Sequence, residues 1–218
     1  MVQRLGTLAL FGGTFDPVHN GHLRMALELT EQLQLDDMRL MPSHRPPHKN
    51  TLGCNSEDRA AMVELATADC PQLSIDRREM ERDAPSYMVD TLTEVRREVG
   101  PDVSLILAMG MDSLVNLDSW YRWRELTDFA HLLVVARPGW HLPEQGDLAD
   151  FLRQHQASVD KLYSSPQGSV VIQQMSLLPI SATEIRRQIS AGESPQFLLP
   201  DSVWAYIQRK QLYRLPTE

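Results

Sequence analysis

Thr7-Leu8-Ala9-Leu10-Phe11-Gly12-Gly13-Thr14-Phe15-Asp16-Pro17-Val18-His19-Asn20-Gly21-His22 runs from an apolar stretch through a glycine pair towards a helical pattern. Five apolar or β-favouring residues bounded by turn residues predict a short buried strand over Thr7–Phe11. Glycines directly after a strand let backbone approach a ligand with no Cβ in the way. Leu23, Ala26, Leu27 and Leu33 then recur at helical spacing. A helix starting after such a turn aims its unpaired N–H groups back at it, which favours phosphate. His19 and His22 are three apart, so at a helix start their rings share a face. There they can hydrogen-bond phosphate oxygens and stabilise charge in a phosphoryl-type displacement. Gly21 leaves room for a base or ribose. Two other readings compete. The histidines alone read equally as surface residues, and imidazole is a common metal ligand, although no third ligand stands nearby at a suitable spacing.

Outward from this stretch, strands and helices alternate. Met38–Met41 reads as a second strand, Ser43–Asn55 as a loop rich in proline, histidine and asparagine, Arg59–Ala68 as a helix, and Leu73–Asp76 as a strand. Met88, Leu92, Val95 and Val99 mark one face of a helix from about Tyr87, stopped by Gly100-Pro101. Leu105–Met109 and Leu132–Ala136 read as buried strands, Asp147–His155 as a helix and Ser169–Gln173 as a strand. Ser181-Ala182-Thr183-Glu184 has the form of a capping box, predicting a helix to Ser190 with Gly192 just past its end. Asp201–Lys210 is a last amphipathic helix. The expected fold is α/β: one domain over 1–218, a doubly wound parallel sheet with helices on both faces and a small C-terminal helical part from about 181.

The chain has 218 residues, 42% hydrophobic and 23% charged, which suits one good core. A net charge of −8 disfavours broad nucleic-acid or anionic-membrane binding, so neither partner is expected. No apolar run approaches the roughly 20 residues of a membrane span, and the apolar start is too short for a signal segment. A cytoplasmic location follows as the default. Cys54 and Cys70 form no CxxC or zinc pattern and read as free thiols. Self-association is left open.

The second segment makes physical sense alone. Ser181 and Thr183 bring hydroxyls and N–H groups to a positive helix end, and Arg186, one turn in, presents a fork of donors suited to phosphate. The plainer reading is a capped helix with a solvated arginine.

GGTFDPVHNGH resembles the signature of the HxGH nucleotidylyltransferases, with His19 and His22 as its histidines. Ile180-Ser181-Ala182-Thr183-Glu184-Ile185-Arg186 is similar to the I/S-S-x-S/T-x-x-R/K stretch that follows late in that superfamily. Further segments resemble bacterial nicotinate mononucleotide adenylyltransferases. Pro46-Pro47-His48-Lys49 is similar to the substrate loop. Ala84-Pro85-Ser86-Tyr87, then Asp90-Thr91-Leu92, is similar to the PSYT-x-x-TL stretch that helps bind the pyridine carboxylate. Gly110-Met111-Asp112-Ser113 is similar to the GxDS turn by the ATP ribose and base. Trp120-Tyr121 is similar to the pair whose indole stacks on the pyridine ring, and Arg137-Pro138-Gly139 to the RPG turn.

The resemblance implies a Rossmann-like fold and transfer of the adenylyl group of ATP to nicotinate mononucleotide, giving deamido-NAD and pyrophosphate in NAD biosynthesis. It implies catalytic roles for His19, His22 and Arg186. ATP binding falls to Gly12, Gly13, Phe15, His19, Gly21, His22, Gly110, Asp112, Ser113, Ile180, Ser181, Thr183 and Arg186. Mononucleotide binding falls to Thr14, Lys49, Tyr87, Met88, Trp120, Tyr121 and Arg137. Mg²⁺ is expected with ATP, held by the nucleotide and water rather than by protein ligands. Met88 stands where the family pattern has threonine and brings no hydroxyl, so transfer to nicotinamide mononucleotide stays an alternative. Transfer to phosphopantetheine, a non-catalytic nucleotide sensor, and a metal-dependent hydrolase are the others.

Overall fold

A computed structural model describes residues 4–44, 53–82, 86–136 and 141–214. In chain order the elements are β1 (Thr7–Gly13), α1 (Asn20–Gln32), β2 (Asp37–Pro42), α2 (Ser56–Thr67), β3 (Ser74–Ile75), α3 (Met88–Val99), β4 (Ser104–Gly110), α4 (Met111–Leu114), β5 (His131–Ala136), α5 (Asp147–His155), α6 (Lys161–Ser164), β6 (Val170–Gln174), α7 (Ala182–Ser190) and α8 (Asp201–Lys210). Short 3-10 turns lie at Arg78–Glu81, Leu117–Ser119 and Trp123–Asp128.

The six strands form one sheet in the order β3-β2-β1-β4-β5-β6. β1 pairs with β4 in parallel, Leu8 opposite Leu105 and Leu10 opposite Leu107, and β5 pairs in parallel with β4 and β6. Strand order runs outward in one direction from β1 and in the other from β4, which is the doubly wound α/β order that the sequence predicts. β1 ends in Gly12-Gly13 and β4 in Gly110.

Several predicted boundaries move. α1 begins at Asn20, before the first apolar residue of its stripe, because the cap lies at His19. α2 begins at Ser56, three residues before the predicted start, because the Asn55 side chain accepts the Asp58 N–H at 2.7 Å. The strand predicted over Leu73–Asp76 is reduced to two paired residues, Ser74 and Ile75.

The chain forms two compact units: Met1–Gly12 with Leu35–Met38 and Ser86–Ser176, and Gly13–Gln34 with Arg39–Pro85 and Leu177–Glu218. The first unit's core joins Leu8 and Leu10 of β1, Val89, Leu92 and Val95 of α3, the alternate residues Leu105, Leu107 and Met109 of β4, and Phe151 and Leu152 of α5. Arg96 ties this unit's edge, donating to the carbonyls of Gly100, Val103, Phe129 and Pro166 at 2.7–3.0 Å. In the second unit, α2 packs on α8, and the Tyr206 hydroxyl donates to Asp58 at 2.7 Å. Met25, Ala26 and Leu29 of α1 and Ile185 and Ile189 of α7 are buried there.

Candidate active site

Gly13 is needed where it stands. A Cβ on it would meet the Phe15 ring at 2.7 Å. Phe15 turns the chain with φ 50 and is itself only 2% exposed, its ring nearly perpendicular to that of His22 at 5.1 Å between centroids. Phe15 thus supports the turn from beneath with its side chain. The Asp16–Pro17 peptide is cis.

His19 is the N-cap of α1 and His22 its third residue, and the two form a reciprocal capping box. The His22 N–H approaches His19 Nδ1 at 3.4 Å, and the His19 N–H approaches His22 Nδ1 at 3.3 Å. The rings stack, with centroids 3.6 Å apart and planes 17° from parallel. An imidazole nitrogen that accepts carries no proton, so each ring's N–H is at Nε2. Burial supports the neutral form of His19 by pushing its pKa down to about 4. Two Nε2–H donors, that of His19 on a neutral ring, therefore stand at the positive end of a helix.

The late motif packs on this turn. A Cβ on Gly21 would press on the His19 ring at 3.0 Å and reach Ile180 Cβ only in ordinary contact at 3.4 Å, so Gly21 makes room for the His19 ring, with Ile180 of the late motif packed beside it. Arg186 Nη1 donates to the Asp16 carbonyl at 2.6 Å, and Nη2 lies 3.4 Å from Thr183 Oγ1. Ser181 is the N-cap of α7, as predicted, but the predicted capping box does not form: its side chain makes no capping hydrogen bond. Glu184 instead accepts from Arg187 and Gln188, which draws its carboxylate down the helix. The Ser181 and Thr183 residues are exposed at this helix start.

Contacts that no motif announces surround Asp16. Its buried carboxylate accepts from the Gly53 N–H at 2.7 Å, the Tyr213 hydroxyl at 2.9 Å and the Cys54 thiol at 3.4 Å. Arg59, 0% exposed, donates to the carbonyls of Thr14 at 2.6 Å and His44 at 3.1 Å. A buried arginine in an amphipathic helix pattern reads as solvated from sequence alone; only its spatial neighbours reveal it. Cys54 and Cys70 both carry free thiols.

The remaining candidates belong to the other unit. Gly110 caps α4, and Asp112 folds back over it: a Cβ there would meet Asp112 Oδ1 at 2.5 Å. Ser113 follows on the same turn. Tyr87 caps α3, Met88 is its first residue, and the Tyr87 ring lies 4.7 Å from that of Tyr121. Trp120 is half-buried against the core, whereas Tyr121 is 53% exposed. Lys49 and Arg137 lie outside the described residues, as do the rest of the PPHK and RPG segments, Ala84 and Pro85, and residues 45–52 of the loop read over Ser43–Asn55.

A doubly wound parallel sheet whose first strand enters a glycine pair and a helix start is an α/β arrangement that suits phosphate at that turn. The chain belongs to the cytidylyltransferase-like family, whose model matches residues 10–188. It is 56% identical over 208 residues to the probable nicotinate-nucleotide adenylyltransferase of Cellvibrio japonicus, covering 95% of this chain and 99% of that one. It is 46% identical to the protein of the same name from Pseudomonas putida strain W619, covering 99% and 97%. Among solved structures, the Plasmodium falciparum nicotinic acid mononucleotide adenylyltransferase complexed with NaAD superposes with a TM-score of 0.72 at 15% identity, covering 95% of this chain and 97% of that one. At that identity the likeness bears on the fold.

Proposed function

We propose that this chain transfers the adenylyl group of ATP to nicotinate mononucleotide, yielding deamido-NAD and pyrophosphate for NAD biosynthesis. Near-full-length identity to relatives of that name supports the substrate pair. The observation that carries the chemistry is the reciprocal cap of His19 and His22, with Arg186 bonded to the same turn.

An oxygen of the mononucleotide phosphate attacks the α-phosphorus of ATP in line. The bond from that phosphorus to the β-phosphate oxygen breaks, and pyrophosphate leaves with the electron pair. No protein nucleophile is required, so the protein's part is to align the two nucleotides and stabilise negative charge. His19 and His22, each with Nδ1 occupied, donate from Nε2 to phosphate oxygens. Arg186 and the α7 start, with Ile180, Ser181 and Thr183, hold the phosphate tail. Gly12, Gly13 and Gly21 give backbone access, with Phe15 bracing the turn. Asp112, with Gly110 and Ser113, receives the ribose hydroxyls. Tyr87, Met88, Trp120, Tyr121, Thr14, Lys49 and Arg137 bind the mononucleotide, and Trp120 or Tyr121 offers a flat face to the pyridine.

Among the described residues no group of three or more His, Cys, Asp or Glu side chains can hold a metal ion. Mg²⁺ would come with ATP, held by the nucleotide and water, and would neutralise phosphate charge there. We place the reaction in the cytoplasm; among the described residues no helix is long and apolar enough to cross a membrane.

The test is turnover of ATP with nicotinate mononucleotide, followed by pyrophosphate release and deamido-NAD formation. A higher kcat/KM for nicotinate than for nicotinamide mononucleotide is expected; the reverse order would reassign the substrate. ATP binding with no product from either would leave a sensor.

A further inference from the structure

The Asp16 side chain is only 5% exposed, and three donors that bear no full charge converge on it: the Gly53 N–H, the Tyr213 hydroxyl and the Cys54 thiol. Burial raises the Tyr213 pKa and pushes the Cys54 thiol up to about 12, so both remain protonated donors near neutrality. Arg186 lies beside the same carboxylate without closing on it. Its Nη1 is 2.6 Å from the Asp16 main-chain oxygen but 3.7 Å from the carboxylate. A free carboxylate next to a guanidinium prefers a bidentate fork. Here Oδ1 already takes the Tyr213 hydroxyl and the Cys54 thiol, so the second oxygen that a fork needs is engaged, while Oδ2, the oxygen nearest Arg186, takes the Gly53 N–H.

Tyr213 reaches this point because the chain reverses after α8, where Gln211 and Tyr213 both take left-handed conformations. Close packing fixes the hydroxyl: a Cβ on Gly53 would sit 2.5 Å from the Tyr213 ring and 2.8 Å from Arg186 Cδ.

We propose that Tyr213 is a positioning residue for the adenylyl-transfer reaction: by donating to Asp16 it keeps that carboxylate from pairing fully with Arg186, and so leaves the guanidinium fork open to the polyphosphate. Without the hydroxyl, Asp16 competes with ATP for Arg186. The proposal rests on the role given to Arg186 above.

Steady-state kinetics of wild type, Tyr213→Phe, Arg186→Ala and the double variant test it, with Tm measured for each. Tyr213→Phe should raise KM for ATP about three- to tenfold, as for coupled members of one hydrogen-bond network, with a smaller change in kcat. In the Arg186→Ala background it should change KM for ATP no further. An unchanged KM for ATP in Tyr213→Phe, or an equal rise with and without Arg186, overturns the proposal while leaving the reaction assigned. An Arg186→Ala enzyme with wild-type KM for ATP removes the role of Arg186 and the proposal with it. Should Tyr213→Phe fail to fold, Cys54→Ala, which deletes the other side-chain donor, is judged by the same criterion in the same two backgrounds.

Discussion

His19 and His22 cap each other: each ring's Nδ1 accepts the other residue's backbone N–H, across rings stacked 3.6 Å apart. Each imidazole thus has a structural nitrogen, Nδ1, and a distal one, Nε2, and substitutions can separate the two. His22→Asn retains an acceptor at the Nδ1 position and loses the distal donor. It should keep the wild-type Tm and lower kcat by about 100- to 1000-fold, the usual loss for one transition-state donor. His22→Gln places an amide N–H near the Nε2 position and should retain more turnover than the asparagine variant. Equal activities in the two variants would show that the distal nitrogen does not matter.

Burial of His19 has a consequence for stability. Its folded pKa is about 4, against an ordinary value of 6.5. Between those values the unfolded chain binds the proton and the folded one resists it, so stability rises with pH across that window. Acidification from 6.5 to 4 should cost roughly 3 kcal/mol from this group, at about 1.4 kcal/mol per unit. His131, buried with its pKa also lowered by desolvation, acts in the same direction. Urea unfolding of wild type and His19→Asn over this range should show a shallower loss in the variant. Parallel curves would mean that His19 protonates as readily folded as unfolded.

Gly13 and Phe15 form a matched pair. An alanine Cβ at 13 would fall 2.7 Å from a buried ring that has no open side to move into. Gly13→Ala should destabilise by about 1–3 kcal/mol, the cost of overpacking, and slow turnover because the turn leads directly to His19. In a Phe15→Ala background most of the added cost should vanish. A cost unchanged in that background would place the strain elsewhere.

The strands and most helices are legible because their patterns are local: TLALF, Leu105–Met109 and Leu132–Ala136 are apolar runs of strand length, and α3 shows its stripe. Helix starts are harder. Ser181-Ala182-Thr183-Glu184 carries the capping letters, yet Glu184 bonds Arg187 instead, while the working capping box uses two histidines that no capping rule would select. The two motif ends meet as their order suggests, Ile180 against Gly21 and Arg186 on Asp16. Tyr213 and Arg59 were invisible because what defines them is a partner far along the chain. Hydrophobic periodicity cannot report a single buried polar contact.

Arg59 shows what such a contact is worth. It buries a cation whose pKa is lowered by desolvation, and its Nε finds no partner among the described residues. That burial is unfavourable by itself, so Arg59→Met relieves one penalty while leaving the Thr14 and His44 carbonyls without this donor. Each unsatisfied carbonyl costs about 1–3 kcal/mol, and an apolar replacement of a buried charge can recover part of it. A net loss of about 2 kcal/mol is expected for Arg59→Met, read as a lower urea midpoint at unchanged m-value. Arg59→Lys, which cannot bridge two carbonyls with a planar fork, should fall between the two. The function should respond unevenly. Thr14 belongs to the proposed mononucleotide contacts, so KM for nicotinate mononucleotide should rise more than KM for ATP. An equal rise in both, at the same loss of stability, would mean that Arg59 supports the turn as a whole and does not favour one substrate's side of it.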